Sequence, residues 1–193
     1  MEDILNKILK VTNEELNSVD TSFIISHYDK LRNMELQHDP YYFHIESGKE
    51  HYRLLVYIST LVCNEILFDI GTNKCMSALA LSYNKSNKVK SYDLIRLLPE
   101  NPEIENIDYI LGDSTKDTDL SKCPIIFLDV DHDGLYEDVL YRHLKSIEWK
   151  GLLLLDDIHL NDAMKKFWDN ISEDKYDITK LGHWSGTGIV NFK

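Results

Sequence analysis

The stretch Leu67-Phe68-Asp69-Ile70-Gly71-Thr72-Asn73-Lys74-Cys75-Met76-Ser77 decides how the chain is read. An apolar run broken by one acid describes a strand buried on both faces. A glycine follows, and then a small-residue segment, Ser77-Ala78-Leu79-Ala80-Leu81, suited to the start of a helix. Glycine at a strand end lets the backbone turn sharply and approach a ligand closely. A dinucleotide turn needs two more glycines to seat a pyrophosphate, and none follows within the turn, where Asn73 and Cys75 stand. A ligand without phosphates is the better match, although a plain strand-to-helix turn reads the same way.

Outward from this turn, apolar runs at 66–70, 88–93, 108–111, 125–129 and 151–155 alternate with helical segments at 76–83, 136–147 and 162–168. Such alternation predicts a parallel sheet covered by helices. Two last runs, 176–179 and 188–192, flank a turn-rich 182–187 and predict a closing antiparallel hairpin. The links around Asp108 are short for full helices. Before residue 65 the apolar spacing is helical: Leu5, Ile8 and Leu9, then Phe23, Ile24, His27, Tyr28, Leu31 and Met34, then Tyr52, Leu55, Val56, Ser59 and Leu61. The expected organisation is one domain over 1–193, with a helical extension at 1–64 and an α/β core at 65–193.

Composition narrows the function. A net charge of −12 leaves no basic face to neutralise phosphates, so nucleic acid is not an expected partner. Cys63, Cys75 and Cys123 are odd in number and widely spaced, which argues against a disulfide frame or a thiolate zinc site. Met1 to Lys10 lacks the apolar stretch of a secretion signal, and no run approaches the roughly 18 apolar residues of a membrane span. A cytoplasmic protein without a membrane partner is expected, and an oligomer is compatible with the sequence.

Two more strand ends carry acids. Asp93 closes the second strand about 20 residues after the Gly71 turn, where a carboxylate can accept from ribose hydroxyls. Asp113 follows the third strand in Leu111-Gly112-Asp113-Ser114 and is suited to an adenine amino group. A solvated loop aspartate would look like either one in isolation. Taken in order, from about residue 66 to the C-terminus, these motifs resemble those of the class I S-adenosylmethionine-dependent methyltransferases. The resemblance implies a Rossmann-like three-layer α/β sandwich with a mostly parallel seven-stranded sheet, a C-terminal antiparallel hairpin and added N-terminal helices. It implies S-adenosylmethionine as cofactor, held by Asp69, Gly71, Thr72, Ser77, Asp93, Asp113 and Asp129. Asp69 would lie near the methionine portion, Gly71 beneath the cofactor, Asp93 on the ribose and Asp113 by the adenine. Asp69-Ile70-Gly71-Thr72 before a small-residue helix looks most like the catechol-type and related small-molecule O-methyltransferases. Cys75 departs from that family, where a glycine is usual.

The acidic run Phe127-Leu128-Asp129-Val130-Asp131-His132-Asp133-Gly134 admits other readings. As a calcium loop it places Leu140 where the bidentate Glu belongs, and a strand rather than a helix precedes it. As a phosphatase-type Asp-x-Asp it falls on the wrong strand. Adjacent parallel strand ends converge on one crevice, which joins Asp129 to Asp156 and Asp157 in Leu152-Leu153-Leu154-Leu155-Asp156-Asp157-Ile158-His159. Three oxygen ligands of this kind suit Mg²⁺. The metal-dependent O-methyltransferases are similar, with an Asn often standing where Asp157 is here. Such a metal would lower the pKa of an acceptor hydroxyl. His132, three residues after Asp129 where the catechol-type enzymes have a lysine, is the candidate base beside Asp129. Equally, Asp157 could cap a helix and His132 could be an ordinary loop histidine.

His159 and His183 are minor candidates, and 184–188 reads as an architectural turn. The loop at 38–48, with Tyr41, Tyr42, Phe43 and His44, either folds over the cleft or packs. Glu46 to Tyr52 leads into the helix before the first strand, where related enzymes bring residues to the cofactor. The expected activity is methyl transfer to a hydroxyl of a small molecule or saccharide, with Mg²⁺ as the candidate metal. Its rival is an inactive methyltransferase-like binding module in a larger assembly, which Cys75 permits. An NAD-type oxidoreductase is disfavoured by the missing glycines.

Overall fold

The computed structural model describes residues 1–24, 40–95 and 104–193. The periodic positions His27, Tyr28, Leu31 and Met34 lie outside them. In chain order the elements are α1 (Glu2–Lys10), α2 (Asn13–Asn17), α3 (Tyr52–Thr60), β1 (Ile66–Ile70), α4 (Met76–Leu81), β2 (Lys88–Asp93), β3 (Ile107–Leu111), β4 (Ile125–Leu128), α5 (Leu135–Ser146), β5 (Gly151–Asp156), α6 (Asp162–Asn170), β6 (Asp174–Asp177) and β7 (Thr187–Phe192). Only short 3-10 turns, Ser114–Lys116 and Thr118–Ser121, link β3 to β4, as the short spacing there predicts.

All seven strands form one sheet in the order β3-β2-β1-β4-β5-β7-β6. The first five run parallel, while β7 lies antiparallel between β5 and β6. Side chains alternate strictly between two cores, because successive strand residues point to opposite faces. Leu67, Ile125, Phe127, Leu152, Leu154 and Ile189 pack on one side with α3 and α4. Phe68, Ile126, Leu128, Leu153, Leu155 and Val190 pack on the other with α5 and α6. Leu5, Ile8, Val11 and Leu16 of the N-terminal segment are buried in the first of these cores.

The observed β6 begins two residues earlier than the apolar run at 176–179 suggests. It is the edge strand, so its half-exposed Asp174-Lys175 carries no apolar signature to read. In the loop before α3 the packing alternative is the one observed for Phe43. Phe43 is buried against Tyr52, and Arg53 donates to the carbonyls of Asn17, Val19, His44 and Ile45. These bonds tie residues 42–48 to the N-terminal helices, and none of them lines the cleft described below. Residues 38 and 39 lie outside the described part. Among the described residues no helix is long and apolar enough to cross a membrane.

Candidate functional site

The strand order reverses between β1 and β4, and in open parallel sheets ligands bind beside such a reversal at the carboxyl ends of the strands. A cleft of about 330 Å³ opens there, walled by Gly71, Asn73, Tyr92, Asp93, Asp129 and His132 among others. Gly71, at φ +101°, is required by its surroundings: a Cβ built on it would stand 1.6 Å from the Asp129 carbonyl oxygen. Glycine thus lets the end of β4 close over the end of β1. Both Gly71 and Thr72 donate their backbone N–H to the Tyr92 carbonyl, at 2.8 and 3.0 Å, which fixes the turn against β2.

Asp93 accepts from the backbone N–H of Asn73 and of Ile95, both at 3.0 Å, and so ties the β1 turn to the β2 loop on the cleft wall. Asp69 is buried behind the wall, where it accepts from the Ser91 hydroxyl; Ser91 in turn bonds Thr72 at 2.6 Å. Burial raises the Asp69 carboxyl from 3.8 to about 7, against the lowering effect of Ser91. Ser77 is buried in the first turn of α4. Asp113 is not a wall residue. It caps the following 3-10 turn through Thr115 and lies 3.4 Å from the hydroxyl of Tyr136, which is one.

Cys75 takes the left-handed conformation, φ 71° and ψ 14°, immediately before α4. That conformation is where glycine is favoured, the residue usual at this place in the family the sequence resembles. Its thiol is buried against the Tyr109 hydroxyl, and burial pushes its pKa up.

The far end of the cleft is a network of carboxylates and imidazoles. His132 Nε2 lies 2.9 Å from Asp129 Oδ1 and 3.1 Å from Asp157 Oδ2. Burial pulls His132 down, but these carboxylates and Asp156 outweigh it and raise the imidazole to about 8. Asp129 is raised by burial and by the charge of Asp156. Asp157, at φ 59°, also accepts from the Ser185 hydroxyl, and its Oδ1 lies 3.1 Å from His183 Nδ1. Asp156 meets His51 Nδ1 at 3.4 Å and His183 Nδ1 at 3.5 Å. Burial opposes ionisation of Asp156, yet the two histidines hold it below the usual carboxylate range. His159 lies outside this network, paired with Asp177 at 2.7 Å.

No protein-family model matches the chain, and no curated protein matches it. Solved structures do match. The Podospora anserina methyltransferase PaMTH1, in an SAH-bound crystal structure, aligns with a TM-score of 0.57 at 14% identity, over 91% of this chain and 89% of that one. A putative caffeoyl-CoA O-methyltransferase from Staphylococcus aureus gives 0.57 at 9% identity, over 91% and 93%. The O-methyltransferase TomG from Streptomyces achromogenes gives 0.53 at 14%, over 100% and 96%. The fold is that of the Rossmann-like methyltransferases.

Within this methyltransferase fold the residues present can be tested against the two groups the resemblance implies. For the cofactor, the cleft offers Gly71 on its floor, Asp93 on its wall and the buried Asp69 Oδ1, which has no hydrogen-bond partner, behind them. For a cation, Asp156 Oδ1 and both ring nitrogens of His51 are likewise buried without partners. Both fit. The sequence reading missed His51, since one histidine at a helix start has no pattern; the quoted segment 46–52 located its neighbourhood but not the residue. Tyr92 and Tyr136 were missed for the same reason.

Proposed function

We propose that this chain transfers a methyl group from S-adenosylmethionine to a hydroxyl oxygen of a small-molecule or saccharide acceptor. The observation that carries this reading is the cleft at the strand-order reversal, with Gly71 and Asp93 in its wall. When bound there, S-adenosylmethionine supplies a methyl on a sulfonium, which leaves as a neutral thioether once an acceptor oxygen attacks. Gly71 admits the cofactor to the backbone, Asp93 accepts from the ribose hydroxyls, Asp69 and its Ser91–Thr72 chain support the methionine end, and Asp113 with Tyr136 borders the adenine. At the other end His132 is the base candidate for the acceptor proton, and Asp129 orients it at 2.9 Å. A divalent cation, Mg²⁺ in the first reading, would lower the pKa of that hydroxyl. Asp129, Asp156 and Asp157 are the carboxylates available to hold it. Trp184, 68% exposed beside His183, offers a flat apolar face that suits a ring-shaped acceptor.

Calorimetry with S-adenosylmethionine, its demethylated product and NAD tests the cofactor: the first two should bind and NAD should not. Tight NAD binding would sink the reading, and cofactor binding without turnover in any extract would favour the inactive module. Asp156→Ala combined with a magnesium titration tests the metal, since unchanged turnover without metal dependence removes it. Incubating extracts with methyl-labelled cofactor identifies the acceptor from the labelled product.

A further inference from the structure

The three carboxylates do not form an open cage. His132 Nε2 already stands between Asp129 and Asp157, at 2.9 and 3.1 Å, where a cation shared by those two would sit. Asp156 is placed differently. Its Oδ1 lies 3.4 Å from His51 Nδ1 and its Oδ2 lies 3.5 Å from His183 Nδ1, a nitrogen that also lies 2.7 Å from Ser185 Oγ and 3.1 Å from Asp157 Oδ1, and the three donor groups come within 4.8 Å of one another. The side chains of His51 and Asp156 are each 3% exposed, yet Asp156 Oδ1 and both nitrogens of His51 make no hydrogen bond. Each such buried atom costs about 1–3 kcal/mol, so a cluster of three calls for a partner.

Donor separation points to what that partner is. At 3.4 and 3.5 Å the contacts are long for hydrogen bonds. An ion bonded to all three at about 2.0–2.1 Å needs its donors about 3.3 Å apart, so the donor groups, within 4.8 Å of one another, close by small side-chain shifts to hold it.

We propose that His51, Asp156 and His183 bind a first-row transition-metal dication of the Zn²⁺ type. Two imidazoles and one carboxylate suit such an ion, whereas Mg²⁺ selects an all-oxygen shell. The proposal deepens the cation part of the reading above and rests on the Asp156 cluster holding an ion, but it does not require methyl transfer.

The full chain, stripped with a chelator and without cofactor, is titrated with Co²⁺ and followed by visible absorption, then challenged with Zn²⁺ or Mg²⁺. One Co²⁺ per chain should bind, be displaced by equimolar Zn²⁺ and persist in millimolar Mg²⁺. His183→Ala and His51→Gln should each weaken Co²⁺ by about tenfold or more, while His159→Ala, outside the network, leaves it unchanged, with circular dichroism reporting the fold of each variant. His183 is 18% exposed, so its truncation decides the matter even if His51→Gln misfolds. Absence of saturable Co²⁺ binding, displacement by Mg²⁺, or binding kept undiminished in His183→Ala overturns the proposal. A chain that takes up Co²⁺ but fails to bind S-adenosylmethionine retains this site and loses the methyltransferase reading.

Discussion

Asp69 and Cys75 are the two residues whose conformation or protonation most directly records the demands of the turn. Folded Asp69 keeps its proton up to about pH 7, whereas the unfolded carboxyl releases it near 3.8. Between these values the folded chain binds more protons than the unfolded one, so this group's contribution to stability falls as pH rises through the window and is flat above it. Asp69→Asn should remove that slope, making the variant more stable relative to wild type at pH 8 than at pH 4 by up to about 4 kcal/mol. Urea unfolding across the range measures it, and identical pH profiles for the two proteins would refute it. At position 75 the left-handed backbone should make glycine better than alanine: Cys75→Gly should be more stable than Cys75→Ala by about 1 kcal/mol in the same assay. Equal stabilities would mean the conformation carries no strain. Cys75 could be flagged from sequence because the motif names the position. His51 could not, because only the folding of the segment before α3 onto the end of β5 gives it a partner.

The unit joining β1 to α4 works by closeness between backbones. Gly71→Ala would drive a Cβ into the Asp129 carbonyl, so the ends of β1 and β4 must part. A loss of at least about 2 kcal/mol is expected, together with failure to bind S-adenosylmethionine in calorimetry. A variant as stable as wild type that still bound cofactor would show that the turn is not needed. Elements with two buried faces were the most legible: β1, β2 and α4 begin at the residues their apolar runs suggest. Legibility failed where burial is one-sided or absent, as at the edge strand β6, or where packing alone decides, as for the aromatic loop whose Phe43 turned inward.

For the molecule as a whole, the N-terminal segment and the sheet share one core. Leu5, Ile8, Val11 and Leu16 are buried with Leu54, Leu67 and Leu79, so deleting residues 1–18 uncovers that face. Burying one such side chain contributes about 1.5–3 kcal/mol, and the truncated chain should unfold at a clearly lower temperature or aggregate. An unchanged melting curve would show that the segment is an independent addition. The α/β character followed from the periodicity alone. The strand order did not, because apolar runs show that strands exist without showing which neighbours they take.

Asn73, Cys75, His132 and Asp157 all hold positive φ angles, and all lie just beyond the ends of β1, β4 or β5. Non-glycine residues held this way cost of order 1–3 kcal/mol each and persist only where the surroundings impose them. Asn73 and His132 line the cleft while Cys75 and Asp157 are buried, so these positions are the natural target for anyone seeking a hardier version of this chain by substitution, and also the place where such hardening would blunt what the cleft is shaped to do. Thermal selection and functional selection should pull these four positions in opposite directions.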